Sequence, residues 1–305
     1  MPHDQRLICL RYFFRFLFEI LAQPNFSPVL DPYSISTQVG LSNPNCNPTS
    51  IATQTQFQPN SSFIFSILYI DGQRAGFNAT NIPYRTSSTL KDGCDLTDRF
   101  NAPTPRDLSG GFFANDGHLK VTQVTSNMVT MIAWSLASNF EVWESKGLSE
   151  WALGTVKHGL EWLVEARTSG ADIVTQVGDA RTDARCDISI DNLDENRPTI
   201  VSTRKAPATD ALGGFVAAVY ASAHAFSIAG DKVEAKKCAR KAENVLEILF
   251  SGPKGLSGEN PDYEPGVIAP EWSGGCYQDE MAWASAWACL GSEGLDECFE
   301  KECSI

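Results

Sequence analysis

The stretch ATDALGGFVAAVYASAHAFSIAG, residues 208–230, is apolar almost all round. Folded as a helix it has no face to give to water, so other elements must enclose it on most sides. The flanking sequence supplies candidates. In SNMVTMIAWSLASNFEVWES the residues Val129, Ile132, Ala133, Leu136, Phe140 and Trp143 fall on one stripe at helical spacing, with Ser126 or Asn127 as the cap. LSEWALGTVKHGLEWLVEAR starts at Ser149 as a cap and sets Ala152, Val156, Gly159, Leu160 and Leu163 on one face, with His158 beside it. KVEAKKCARKAENVLEILF follows Gly230 and Asp231 as an amphipathic helix, and YQDEMAWASAWACL forms a last one. An earlier helix, FIFSILYIDGQR, ends before Gly76. No convincing strand alternation separates them. Buried and amphipathic helices joined by long polar loops predict an all-α toroid or solenoid with its loops gathered at one end. About forty residues separate the helices on either side of RTSGADIVTQVGDARTDARCDISIDNLDENRPTIVSTRKAPA, and a loop that long is usually functional or disordered.

Three segments divide the chain of 305 residues. Residues 1–23 hold an apolar run, LICLRYFFRFLFEILA, interrupted by Arg11, Arg15 and Glu19, which reads as a degenerate signal, an anchor or an amphipathic helix. Residues 24–60 are rich in Pro, Ser, Asn, Thr and Gln and read as a linker. Residues 61–305 carry the helices. No other window satisfies the requirements of a membrane span, so no stable membrane insertion is expected. Thirty-seven acids against twenty-four bases give a net charge of −13, which repels phosphate backbones and argues against nucleic acid as a partner. Nine cysteines, with no CxxC pair, leave both a disulfide-bearing secreted protein and a reduced intracellular one open. Asn60 and Asn78 head N-x-S/T sequons.

Several short motifs occur in a fixed order: DGQRAG, IPYRTSSTLKDG, DLSGGFF followed by DGHLK, MIAWSL, QVGD, RP, TDALGG and YQDEMAWASAW. Together they resemble the catalytic domain of glycoside hydrolase family 9. The match runs from about Phe63 to Leu290 and ends in a Tyr-x-Asp-Glu-x-x-Trp-Ala-x-x-Trp pattern from Tyr277 to Trp287. The resemblance implies an (α/α)6 barrel of the six-hairpin glycosidase type. It also implies inverting hydrolysis of β-1,4-glucan, with cello-oligosaccharides as ligands and an extracellular location.

Inverting hydrolysis needs a carboxylate base and a carboxylic acid about 6.5–9.5 Å apart. In the family the base comes from a loop of the form Asp-Ala-Gly-Asp-His. The corresponding residues are Ala114, Asn115, Asp116, Gly117 and His118, so both aspartate positions lack a carboxylate. Asp116 is the acid that remains, read either as a displaced base or as a turn acid. His118 matches the family histidine, to hold a sugar hydroxyl or to orient the loop. Tyr84 and Arg85 match a Trp-Arg pair, Asp183 opens a loop that contacts glucan in the family, and Trp272 is a candidate stacking platform. After Asp183 the family histidine and tryptophan are missing.

No cofactor is required for this chemistry, but the resemblance implies a structural calcium. Thr209, Asp210 and Asp279 retain part of its ligand set, and the glutamate position is Gly214. The family's general acid belongs to an Asn-Glu-x-Ala motif well beyond the tryptophan helix, and Ile305 comes eighteen residues after Trp287 without one. About half of the barrel helices are therefore expected, with an open edge that favours self-association. Two readings follow: an impaired endoglucanase-like hydrolase, and an inactive glucan-binding or structural pseudoenzyme.

Overall fold

The computed structural model describes residues 68–77, 80, 82, 85–97, 102–114, 117–183, 197–269 and 275–291. Two units divide the chain, Met1–Tyr69 with Glu141–Leu148 and Ile70–Phe140 with Ser149–Ile305. The first contains most of a short helix, Phe140–Ser145, whose end is closed by Gly147 N–H donating to Glu144 O at 2.9 Å. The second contains the remaining elements below.

Helix α1 spans Thr122–Ser138, α2 is the short helix Phe140–Ser145, and α3 spans Ser149–Ala166. One turn, α4, covers Ala180–Asp183. They are followed by α5 (Thr209–Ile228), α6 (Lys232–Ser251) and α7 (Gln278–Gly291). The all-round apolar helix is α5, which packs against α1, α6 and α7. Every residue from Thr209 to Ala223 is buried, Asp210 among them. By length and a mean hydropathy of 1.5 this helix could cross a bilayer, contrary to the expectation that no such window exists, but 83% of that window is buried inside the protein.

Its neighbours follow the stripes in the sequence. α6 buries Ala235, Cys238, Ala242, Val245 and Leu249, one residue every three or four. Asp231 caps it, with Oδ1 accepting from Glu234 N–H at 2.9 Å, a contact typically worth about 1 kcal/mol. α1 buries the expected Val129, Ile132, Ala133 and Leu136. It begins at Thr122, four residues before the expected cap Ser126, and Thr122, Thr125 and Ser126 are fully buried in its first turns. Polar residues that look like a cap are here part of a helix face.

The structure also contains a small antiparallel sheet absent from the sequence reading. β1 (Lys120–Val121) and β4 (Thr199–Val201) both pair with β3 (Asp172–Val177), as does β2 (Arg167–Ser169). Lys120 pairs with Val177, and Val174 with Val201. Residues Ile173 to Val177 are all buried, so β3 lacks the alternation that marks a half-exposed strand. β1 runs directly into α1, where Thr122 Oγ1 donates to Val174 O. The sheet thus ties the start of α1 to much of the long loop.

α1 and α3 approach closely at Gly159. A Cβ there would lie 2.4 Å from Val129 Cγ2 and 2.7 Å from Phe112 Cε2, whereas one on Gly154, in the same helix, meets nothing within 4 Å. Gly159→Ala should lower the unfolding free energy in urea by about 1–3 kcal/mol through overpacking. Gly154→Ala should raise it by about 0.5–1 kcal/mol.

Candidate functional site

The motifs KDG, GHLK and RP, far apart in sequence, meet at one buried carboxylate. Asp92 Oδ2 accepts from Lys120 Nζ at 2.8 Å and from Arg197 Nη2 at 2.6 Å, while Oδ1 accepts from Arg197 Nε at 3.0 Å. Asp92 is 1% exposed, Lys120 0% and Arg197 4%. Lys120 Nζ also donates to Leu108 O at 2.7 Å and Ser109 O at 2.6 Å, in the DLSGG segment. Burial pushes the Lys120 ammonium down to about 8 despite the opposing field of Asp92.

From this cluster Arg197 reaches the loop bearing the expected catalytic position. Its Nη1 donates to His118 O and lies 3.6 Å from Asp183 Oδ1. His118 N–H donates to Asp183 O at 2.6 Å. Asp183 Oδ2 accepts from Asp179 N–H at 2.7 Å, which closes the α4 turn. Gly178, at φ +102°, makes room: a Cβ would lie 3.0 Å from Asp183 Oδ2 and 3.2 Å from Arg197 Nη1. The glycine of QVGD therefore serves the close approach of an acid and an arginine.

Two of the expected ligand-binding residues, His118 and Asp183, are thus brought together, and both are buried. His118 is 3% exposed, its ring edge-on to Phe113 at 6.2 Å, and Asp183 is 7% exposed. Arg85 donates to Gly72 O through Nη1 and to Arg74 O at 3.2 Å through Nη2, anchoring its own loop. Tyr84, Asp116 and Trp272 lie outside the described residues. At the two positions where the family has a carboxylate, Gly117 has no side chain and the methyl of Ala114, 3% exposed, joins an apolar cluster with Leu119, Val121 and Ala269.

The expected calcium residues have protein partners. Asp210 Oδ1 accepts from Ser257 N–H at 2.9 Å and Oδ2 from Ser257 Oγ at 2.6 Å. Thr209 Oγ1 accepts from Gly255 N–H at 3.1 Å, and Asp279 Oδ1 from Cys276 Sγ at 3.0 Å. Among the described residues no group of three or more His, Cys, Asp or Glu side chains is placed to hold a metal ion.

The sequence reading gave no role to Asp92, Lys120 or Arg197, although all three stand in the motifs it singled out. It also left His158 undefined. That ring donates from Nε2 to Gly111 O at 2.9 Å, and Trp162 Nε1 donates to Leu108 O at 3.1 Å, so α3 and the Lys120 ammonium grip the same glycine-rich segment. Burial pushes the His158 imidazole down to about 4, with the Gly111 hydrogen bond opposing.

Two outcomes follow. Asp92→Asn should lower stability by about 3–5 kcal/mol, because two buried cations lose their counter-charge, and Lys120→Met added to it should recover part of the loss in a double-mutant cycle. His158 is neutral in the folded state at pH values where the unfolded chain already takes a proton. Stability is therefore full above about pH 6.5 and falls by up to about 3 kcal/mol as pH drops from 6.5 to 4. Urea titrations across that range should show a smaller fall for His158→Gln.

A sequence profile, glycosyl hydrolase family 9, matches residues 62–301. An endoglucanase of Dictyostelium discoideum is 27% identical over 233 residues, covering 76% of this chain and 32% of that protein. Endoglucanase 14 of Arabidopsis thaliana is 28% identical, over 73% of this chain and 43% of its own. The chain thus spans less than half the length of these relatives. An endoglucanase structure from the termite Nasutitermes takasagoensis aligns with a TM-score of 0.66 at 21% identity, over 78% of this chain and 52% of its own. The cellulase Cel9M of C. cellulolyticum in complex with cellobiose aligns with a TM-score of 0.64 at 19% identity and the same coverages. The ordered motifs, the helices packed around α5 and these matches agree: the chain belongs to glycosyl hydrolase family 9 and carries part of its (α/α)6 barrel.

Proposed function

We propose that this chain is directed at β-1,4-glucan, as an endoglucanase-like protein whose hydrolytic step is impaired. The observation that carries this is Ala114. Where the family loop has the first of its two carboxylates, this chain has a methyl group 3% exposed among Leu119, Val121 and Ala269. Gly117 offers nothing at the second position. A positioned base contributes about 10²–10⁴ in rate, so its loss removes most of the turnover even where sugars still bind. The glucan assignment is supported by family membership and by solved relatives captured with cellobiose and cellotriose.

A second reading, an active inverting hydrolase with Asp116 as the base, is favoured by the acid retained next to Gly117. Reducing-end release from soluble cellulose derivatives separates the two. The expected result is no release above a buffer blank, with cello-oligosaccharide binding detectable by calorimetry. Turnover abolished by Asp116→Asn would establish the second reading instead. Binding of neither polymer nor oligosaccharide would leave the structural pseudoenzyme as the surviving alternative.

Cys289 is disulfide-bonded, whereas Cys94, Cys238 and Cys276 are free thiols. A disulfide supports an oxidising, extracellular setting. No nucleic-acid partner is proposed for a chain of net charge −13. Self-association through the barrel edge is supported by half-exposed apolar side chains on three helices. Trp134 is 52% exposed, Ile228 45% and Leu290 42%, and Trp134 sits edge-on to Trp287 at 6.4 Å. Sedimentation at micromolar concentration should show oligomers that Trp134→Gln with Leu290→Lys reduces. A monomer unaffected by those changes would remove this part of the proposal.

A further inference from the structure

Where α1, α5 and α7 meet, Gln123 Nε2 donates to Glu280 Oε1 at 3.0 Å, linking residues 157 apart in sequence. Between them α5 presents two glycines. A Cβ on Gly213 would lie 2.9 Å from Glu280 Cβ and 3.0 Å from its carbonyl oxygen. One on Gly214 would lie 2.7 Å from Gln123 Oε1 and 3.1 Å from Ser126 Cβ. Gly213 thus lets the backbone of α7 close against α5, and Gly214 opens the space that the Gln123 amide enters from α1.

Gly214 is also the position where the calcium set has its glutamate. The donors left around it are poor for that ion. Calcium takes six to eight oxygens and favours carboxylates. Both Asp210 oxygens are turned onto Ser257, the Thr209 hydroxyl accepts from Gly255, and Asp279 accepts from Cys276. The buried oxygens without a hydrogen-bond partner at this corner are Gln123 Oε1, Ser126 Oγ and Glu280 Oε2, and none belongs to the family's set.

We propose that this corner is closed by a calcium-independent clasp, in which the Gln123 amide occupies the place of the missing glutamate and holds Glu280. The arrangement is local and complementary: the bare position at Gly214 and the Gln123 amide face each other across the same gap. The clasp joins the first and last of these three helices over the central one, and it stands whether or not the chain binds glucan.

The test uses the full chain, dialysed against a chelator and then titrated with calcium. Calorimetry should show no saturable uptake up to millimolar calcium, and the melting temperature should be the same with calcium and with chelator. Gln123→Leu should lower the melting temperature by several degrees, by the same amount in both buffers. A saturable isotherm accompanied by a higher melting temperature would overturn the proposal, with the unpartnered oxygens as the evident ligands. A Gln123→Leu protein that melts like the parent would overturn the role of the amide. If that variant does not fold, the calcium titration of the parent chain still decides.

Discussion

Asp92 is one carboxylate between two cations in a place water does not reach, and the site is assembled around it. Removing three charged groups from solvent costs several kcal/mol per ion, recovered only when each lone pair and proton finds a partner at good geometry. Here the recovery is nearly complete: Asp92 accepts three hydrogen bonds, the lysine ammonium divides its donors among Asp92 and two carbonyls, and the guanidinium continues to His118 and Asp183. Because the partners come from the loop after residue 85, from β1 and from the strand entry at Arg197, the cluster fixes the register of three distant segments at once. The glycine-rich stretch at 108–111 inherits its position from the same lysine and from Trp162 and His158 on α3.

This arrangement explains an apparent contradiction. The frame around residues 114–118 is tightly tied, with His118 N–H donating to Asp183 O, Arg197 donating to His118 O and lying 3.6 Å from Asp183 Oδ1, yet the loop itself holds a methyl group and a glycine at the two positions where the resemblance implies carboxylates. The charges that build the frame are buried and interdependent, so losing any one is expensive. Ala114, by contrast, carries no charge and packs its methyl into an apolar cluster with Leu119, Val121 and Ala269.

How much was legible in the sequence follows from how local each signal is. α5 could be read directly as a helix enclosed on most sides, because apolarity on every face leaves none to give to water. α6 declared itself through its stripe and through Asp231. The start of α1 could not be read, since Ser126 looks like a cap and is buried where α5 brings Gly214 against it, while Thr122, further upstream, is held by Val174 O of β3. β3 was hidden for a similar reason: five consecutive buried residues, Ile173 to Val177, show no alternation, and their partners come from segments on either side. The family motifs marked where function was to be sought, but motif position does not reveal that a histidine lies beneath a phenylalanine ring or that an arginine is committed to carbonyls. Those facts depend on contacts between residues many tens of positions apart.

The enclosure of α5 has a consequence for how the chain must be made. This helix leaves the ribosome with an apolar surface suited to a bilayer, and one of the helices that covers it, α7, begins only at Gln278, fifty residues after Ile228. At about 5–20 residues per second that interval lasts several seconds, long compared with the microsecond to sub-second scale of helix formation and collapse. During it α1, already synthesised, can shield one flank while the other waits. Until α7 arrives, part of the surface that ends up enclosed stays open to other apolar segments. Asp210 near its start and His224 near its end are ionisable breaks in that surface that keep the nascent helix from being uniformly apolar along its length.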